Sequence, residues 1–217
     1  FWFKFLEKSW CKKASYIAIT NINMKKNYYP EFDNKIVEIT QGFRFEDFKP
    51  PVSEVKNKVP TFAFAGTFMK SVRNPEKFLK YLTTVKKDFK FIIYTMGPEL
   101  AMPFKNALGD KLELRKFIPR TELLKELSKM DFMVNIGYDQ TLQSPSKLID
   151  YYLTEKPVLS FNDNSFDTKI VDEFLNGNYT NKFIFDDMEK FRIENVTKKF
   201  LDLIKSYFKS KNNDYII

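Results

Sequence analysis

The chain has no histidine and only one cysteine, Cys11, among its 217 residues. Without imidazole groups, neither a His-based catalytic triad nor a His-ligated metal can be built from this chain. A single cysteine excludes an internal disulfide and a cysteine-cluster metal site, and it fits a reducing cytosol. We therefore expect a cytoplasmic protein with no metal and no cofactor.

Long apolar runs are also missing. No stretch approaches the roughly 20 apolar residues that a membrane-spanning helix needs. The first residues lack both the basic segment and the small-residue cleavage site of a signal peptide. The sequence begins with Phe1 and not with Met, and we expect it to be a piece of a longer protein.

Charge is biased but not clustered. The 36 Lys and Arg residues against 28 Asp and Glu give a net charge of +8, yet the basic residues are scattered among acidic ones. Such a surface is mainly solvated, although its sign favours anionic partners such as nucleotide phosphates or an acidic membrane face. No motif indicates nucleic acid binding, and we assign most of the 24 Phe residues to the core.

The first 60 residues divide into an α/β remnant and a linker. Apolar patterning predicts a helix over 1–13, a strand over 16–19, a second helix over about 20–28 and a strand over 35–39. Residues 41–48 turn the chain. Residues 49–60 are polar and contain prolines, which is typical of a linker.

From residue 61 onwards, strands and helices alternate regularly. Six strands are predicted, at 61–65, 89–94, 112–117, 132–136, 158–161 and 183–185. A helix is predicted between each pair of neighbours, including one over 98–108, and a terminal helix over about 188–208. Strands separated by a helix must cross over, so they form a parallel sheet with helices on both faces. The fold class is α/β, a doubly wound, Rossmann-like parallel sheet.

Ligands of such sheets bind beyond the carboxyl ends of the strands, so candidate residues follow strands. After 61–65 come Gly66, Thr67 and Arg73, which suit phosphate binding, although a plain turn with solvated bases fits the same residues. The pattern is neither a Walker loop nor the three-glycine dinucleotide motif. Later loops offer surfaces for a nucleobase at Gly97, Phe117, Ile118 and Pro119.

The strongest local signal is the polar segment that ends in Ser144, Ser146 and Lys147 and opens a helix. Free N–H groups, the helix dipole and the hydroxyls together favour an anion there. One turn further, Asp150 can accept hydrogen bonds from ribose hydroxyls. An ordinary Ser cap followed by an acidic first turn explains the local pattern equally well.

These segments resemble glycosyltransferases of the GT-B fold, near the retaining family 4 enzymes that use nucleotide sugars. The resemblance covers most of the chain and is most specific over 145–159; it also includes 41–48, 64–67, 73–75 and 128–134.

The resemblance implies roles for particular residues. The family places a ribose-binding Glu seven residues before a Pro, where this chain has Asp150 before Pro157, and its usual Gly is Glu155 here. Leu142 falls where the family has its upstream, sugar-facing Glu. The neighbouring polar residues Asp139, Gln140 and Gln143 are therefore the candidates to contact the sugar.

The resemblance also implies a domain plan and a function. Residues 1–48 would be the tail of an N-terminal domain with the interdomain segment, 49–60 a linker, and 61–217 the nucleotide-sugar donor-binding domain with a returning C-terminal helix. The chain would be the donor-binding portion of a glycosyltransferase in polysaccharide biosynthesis. It would move a sugar to a saccharide or lipid-linked acceptor, with peripheral association at the inner membrane face.

Because the acceptor site belongs to the first domain of the family, we expect donor binding without substantial transfer activity. Two alternatives stay open from the residues. One is a sugar-nucleotide epimerase on the same fold, although such enzymes normally use acid and base groups that include His. The other is a non-catalytic module that binds a membrane or a protein.

Overall fold

The computed structural model describes residues 2–49, 56–137 and 146–213. The helices are α1 Trp2–Lys13, α2 Glu76–Leu82, α3 Lys105–Leu108, α4 Arg120–Leu127, α5 Ser146–Leu153, α6 Thr168–Leu175 and α7 Ile193–Asn213. The strands are β1 Ile17–Ile19, β2 Ile36–Glu38, β3 Thr61–Ala65, β4 Lys90–Tyr94, β5 Leu112–Arg115, β6 Phe132–Ile136 and β7 Val158–Phe161. The described residues group into two compact units, one of residues 2–45 and 186–213 and one of residues 46–185 without the gaps.

The larger unit is built on a five-stranded parallel sheet with the order β5-β4-β3-β6-β7. The chain moves outward from β3 to β5 and then returns to place β6 on the other side of β3. Strand order therefore reverses between β3 and β6, the point at which doubly wound sheets bind their ligands. The predicted doubly wound α/β fold is confirmed.

The two faces of this sheet are covered by different side chains. All five residues of β3 are buried; after Thr61, Phe62 and Phe64 face one side of the sheet and Ala63 and Ala65 the other. The Phe face packs on α2 and α6, with the rings of Phe62 and Phe132 stacked at 4.5 Å between centroids. The Ala face leaves room for α4 and α5, which contribute Leu123, Leu127 and Tyr151.

The predicted sixth strand at 183–185 is wrong. This segment makes one backbone hydrogen bond to the sheet, from the Phe183 N–H to the Val158 carbonyl at 2.8 Å. Phe183 and Phe185, two residues apart, lie on the same side with their ring centroids 5.1 Å apart and pack against the α5 face of the sheet, while Ile184 between them is 73% exposed. The apolar side chains are thus arranged as they would be in a strand. The segment is nevertheless not a strand, because this one backbone hydrogen bond does not make a ladder.

Two predicted helices are shorter than expected. The segment 20–28 forms a 3-10 helix over Ile22–Asn27, and the segment 98–108 divides into a 3-10 helix over Met102–Phe104 followed by α3. In the second case Pro103 lies at the start of the turn, where it has no N–H to donate to a longer α-helix.

The smaller unit contains a two-stranded parallel sheet in which Ile17 of β1 lies opposite Ile36 of β2. The segment before residue 45 is bonded to the segment before α7, since the Phe43 N–H donates to the Phe191 carbonyl and the Ile193 N–H donates to the Phe43 carbonyl. Helices α1 and α7 both carry exposed large apolar side chains, Trp2, Phe3, Phe5 and Trp10 on the former and Phe200, Leu201, Ile204 and Phe208 on the latter. The domain boundaries drawn from the sequence stay a prediction.

None of the helices formed by the described residues is long and apolar enough to cross a bilayer.

Candidate functional site

The buried side chain of Tyr151 links the two strands between which strand order reverses. Strands β3 and β6 pair at Phe62 with Phe132 and at Ala63 with Met133. Two residues further along β3, the Ala65 N–H donates to the Tyr151 hydroxyl at 2.9 Å, and that hydroxyl donates to the Val134 carbonyl at 3.2 Å. Burial raises the pKa of the Tyr151 hydroxyl, which therefore stays protonated. Tyr151 belongs to α5, so this helix is attached to both strands beside the reversal.

The loop after β3 lies at the same edge of the sheet. Gly66 has a φ of 141°, a conformation that residues with a Cβ rarely adopt, and its N–H donates to the Tyr94 carbonyl at 2.9 Å. The loop then forms a tight turn in which the Arg73 N–H donates to the Met69 carbonyl at 2.7 Å. Phe68 anchors the turn by stacking on Phe64 at 4.3 Å. Arg73 is thereby held half-buried on a defined backbone.

Lys147, the second residue of α5, lies over this loop. Its Nζ is 4.6 Å from the centre of the Phe64 ring and 3.5 Å from the Ile136 carbonyl oxygen. Burial and, to a smaller extent, the positive charge of Arg73 together lower the pKa of Lys147 to about 7. Within the described part of the chain, neither Lys147 nor Arg73 has a carboxylate at ion-pair distance. Two neighbouring cations that are partly removed from solvent and have no carboxylate partner among the described residues are an arrangement that a bound anion would stabilise.

One turn along α5, Asp150 is in the opposite situation. Arg120, the first residue of α4, places its Nε 2.8 Å and its Nη2 2.7 Å from the same carboxylate oxygen, Oδ1. The Asp150 side chain is 19% exposed. Burial raises the pKa of its carboxyl, while the hydrogen bond and charge of Arg120 oppose that rise. Among the described residues, no partner is recorded for Oδ2.

The predicted base-facing residues are divided between two loops. Phe117 is 54% exposed and Pro119 caps α4 at the surface, so both are accessible at the end of β5. Ile118 instead packs against the Ala face of the sheet and lines a cavity of about 820 Å³ beside Tyr94. Gly97 lies at the end of β4 next to the loop after β3, since a Cβ added there would be 3.8 Å from the Thr67 methyl group.

A smaller polar cavity of about 160 Å³ lies at the ends of β6 and β7. It is bordered by the turn that holds Arg73 and by Gly137, the last described residue before the 138–145 gap. Its side chains can bond hydroxyl groups; they are Ser71, Asn74, Asn162, Asp163 and Asn164.

The structure thus brings Arg73 and Lys147 together and places Asp150 beside them on α5. Ser146 begins α5 and is exposed, as is Thr67. Four predicted site residues lie outside the described residues: Asp139, Gln140, Gln143 and Ser144. The ligand-binding roles of all these residues stay predictions.

Sequence reasoning missed two residues of this site, Arg120 and Tyr151. The signal for Arg120 was its place directly after a strand, at the same sheet edge as Asp150. Tyr151 carried no such signal, because an aromatic residue on the apolar side of a helix usually only fills the core. Across residues 2–49, 56–137 and 146–213, no three His, Cys, Asp or Glu side chains cluster as metal ligands would.

No protein-family model and no curated protein matches the sequence. Solved structures do match the fold. A glycosyltransferase from Rickettsia africae has a TM-score of 0.65 at 13% identity, over 91% of this chain and 64% of its own. Sucrose-phosphate synthase from Thermosynechococcus elongatus gives 0.67 at 13% identity, over 95% and 61%. Anabaena HepE in complex with UDP-glucose gives 0.63 at 8% identity, over 89% and 64%.

The chain has a GT-B fold. It spans somewhat less than two thirds of the length of these solved structures. At this level of identity the likeness establishes the fold and confirms the resemblance to GT-B glycosyltransferases. The placement near family 4 stays a prediction, and residue roles must come from the site itself.

Proposed function

We propose that this chain binds a nucleotide-sugar donor and is the donor-binding portion of a glycosyltransferase. The observation that carries the proposal is a pair of cations, Lys147 and Arg73, at the reversal of strand order, with no carboxylate partner in the part of the chain that the structure describes. A diphosphate supplies the missing negative charge. Asp150 follows one turn along α5, where the ribose of a nucleotide bound by its phosphates would lie.

The same arrangement favours transfer chemistry. When the bond between sugar and diphosphate breaks, negative charge grows on the departing nucleoside diphosphate. Cations fixed before the reaction stabilise that charge without having to reorganise. In this proposal Lys147, Arg73 and the free N–H groups at the start of α5 perform that role, and no metal is required.

The donor's other parts are assigned by position. The exposed Phe117 ring and Pro119 would border the nucleobase, and the sugar would extend towards the polar cavity beyond β6. HepE, one of the solved structures with this fold, is in complex with UDP-glucose, which supports a uridine nucleotide as the first to test. The epimerase and binding-module alternatives have no comparable support.

The acceptor is proposed to be a saccharide or a lipid-linked sugar, as in the related fold. A lipid-linked acceptor would bring the protein to the cytoplasmic face of a membrane. The free and buried Cys11 is compatible with a reducing compartment.

Isothermal titration calorimetry of the chain with UDP, GDP and ADP, and then with the corresponding sugar nucleotides, tests the proposal. We expect one of these nucleotides to bind with unchanged affinity in the presence of EDTA. Arg73→Gln should weaken that binding about tenfold because a charged hydrogen bond is lost. The matched control is Lys70→Gln, an exposed cation in the same loop. The proposal fails if no nucleotide gives heat, or if both variants bind as the wild type does.

A further inference from the structure

We infer that Arg120 is a positioning residue that holds Asp150 for a ribose 2′-hydroxyl, so that the preference for ribonucleotides over 2′-deoxyribonucleotides depends on Arg120. This inference rests on the proposed function. It concerns a side chain that the proposal itself does not use, since Arg120 bonds Asp150 and is given no contact with the ligand.

Arg120 meets Asp150 through one of the two carboxylate oxygens. Both guanidinium nitrogens meet Oδ1 of Asp150, at 2.8 Å from Nε and 2.7 Å from Nη2. A guanidinium fork usually bonds both oxygens of a carboxylate, one to each. Here the second oxygen, Oδ2, has no hydrogen-bond partner in the described part of the chain. Oδ2 therefore keeps its acceptor capacity for a hydroxyl of the ligand.

Arg120 also affects the charge state of the Asp150 carboxyl. Asp150 is largely buried, and burial favours the neutral acid, which has only limited capacity to accept hydrogen bonds from hydroxyls. The adjacent guanidinium favours the ionised form. Arg120 thus keeps Asp150 as an acceptor in a place where the carboxylate would otherwise tend to gain a proton.

The ion pair also restricts the movement of the Asp150 side chain. Arg120 begins α4 and Asp150 lies in α5, and these two helices pack through Leu123, Leu127 and Tyr151 on the same face of the sheet. Pro119, with its restricted φ, precedes Arg120. The ion pair therefore joins two packed helices, and Asp150 can be held in one rotamer before any ligand arrives.

A pair of nucleotides that differ by one hydroxyl distinguishes this role from others. UDP and 2′-deoxy-UDP, or the corresponding adenosine or guanosine pair if one of those binds, are titrated into the wild type, Arg120→Gln and Arg120→Lys. We expect the wild type to prefer the ribonucleotide about tenfold. Arg120→Gln should lose most of that preference through weaker ribonucleotide binding, and Arg120→Lys should restore part of it.

Other roles give other results. If Arg120 contacts the phosphates, both nucleotides weaken equally and the preference survives, which overturns the inference. If the ion pair only joins the helices, stability falls and neither affinity changes, which also overturns it. Lys125→Gln, an exposed cation on α4, is the matched control and should leave the preference intact.

Two further measurements test whether Arg120 acts through Asp150. In an Asp150→Asn background, Arg120→Gln should have no additional effect on the preference; an undiminished effect there contradicts the inference. When the pH is lowered, the preference for the ribonucleotide is lost as Asp150 becomes protonated. In Arg120→Gln alone, this loss should occur at a higher pH than in the wild type, because the Asp150 pKa rises when its cation is removed. If no nucleotide binds the wild type at all, it is the proposed function that has failed.

Discussion

Lys147 and Asp150 lie three residues apart on α5, but one has a like charge as its neighbour and the other an opposite charge. Asp150 is neutralised by Arg120 across a helix interface, whereas Lys147 has a like charge, Arg73, as its neighbour and an aromatic ring beneath it. At the proposed ribose end, the charge of Asp150 is balanced before a ligand arrives, and its Oδ2 is left to accept a hydrogen bond from a hydroxyl. The proposed phosphate end is complete only when an anion arrives.

This difference separates two uses of buried charge. A compensated charge such as Asp150 contributes orientation, since its partner fixes it before binding. A charge that has no carboxylate partner among the described residues, such as Lys147, destabilises the free protein, and that free energy is recovered when a phosphate binds. Variants at the two positions should therefore differ in stability as well as in affinity.

The largest expected effect is on nucleotide affinity. Lys147→Met should weaken binding of the nucleotide found by calorimetry about 100-fold, because a charged hydrogen bond to the phosphates is lost in a place that water reaches poorly. Asp150→Asn should weaken it only about tenfold. Lys80→Met, on the exposed side of α2, serves as the control. Equal losses of nucleotide affinity in Lys147→Met and Asp150→Asn would contradict the proposed difference between the phosphate end and the ribose end of the site.

The next effect concerns stability and has a defined pH window. The pKa of Lys147 is about 7 in the folded protein, below its ordinary value of 10.5, so its charged form opposes folding. That cost is full below about pH 7 and disappears as pH rises towards 10.5. Lys147→Met should therefore raise the free energy of unfolding by about 1–2 kcal/mol at pH 6 and by little at pH 10.

Urea denaturation of Lys147→Met and wild type at both pH values measures this difference. A Lys147→Met protein that is less stable than the wild type at pH 6 would show that the lysine is compensated after all. Asp150→Asn should move stability the other way at neutral pH, because it removes one half of an ion pair and leaves Arg120 behind.

The smallest effect lies at the far end of α5 and separates stability from binding. Glu155 has a φ of 57°, the left-handed conformation that follows many helices and favours glycine. Glu155→Gly should stabilise the protein by about 0.5–1 kcal/mol. Its nucleotide affinity should remain that of the wild type, as measured by the same calorimetry. If Glu155→Gly changes the nucleotide affinity, then a change in stability near α5 alone affects binding. The affinity lost in Lys147→Met could then not be assigned to the lost charge alone.

The fold was predictable from the sequence where burial is complete. Strands such as β3 and β6 are short apolar runs between turn residues. Because helices separate them, the strands must be joined by crossover connections and pair in parallel. The segment 183–185 has the same apolar character, but whether such a segment joins a sheet depends on its register with the edge strand, which composition does not encode.

The site was predictable along one helix and not between helices. Lys147 and Asp150 are separated by one turn, so their common side of α5 follows from the helical period. The partner of Asp150 lies 30 residues earlier in the chain, at the start of another helix. That pairing is created by the packing of α4 on α5, and no local pattern around Arg120 contains it.

The Tyr151 hydroxyl has a consequence for how mutational data on this protein should be interpreted. It joins the separating ends of β3 and β6 to the helix that carries both Lys147 and Asp150. A Tyr151→Phe protein would leave a main-chain donor and acceptor without partners and would let that helix shift. Screens for nucleotide binding would then score position 151 as a contact residue, although its side chain is fully enclosed and touches no ligand.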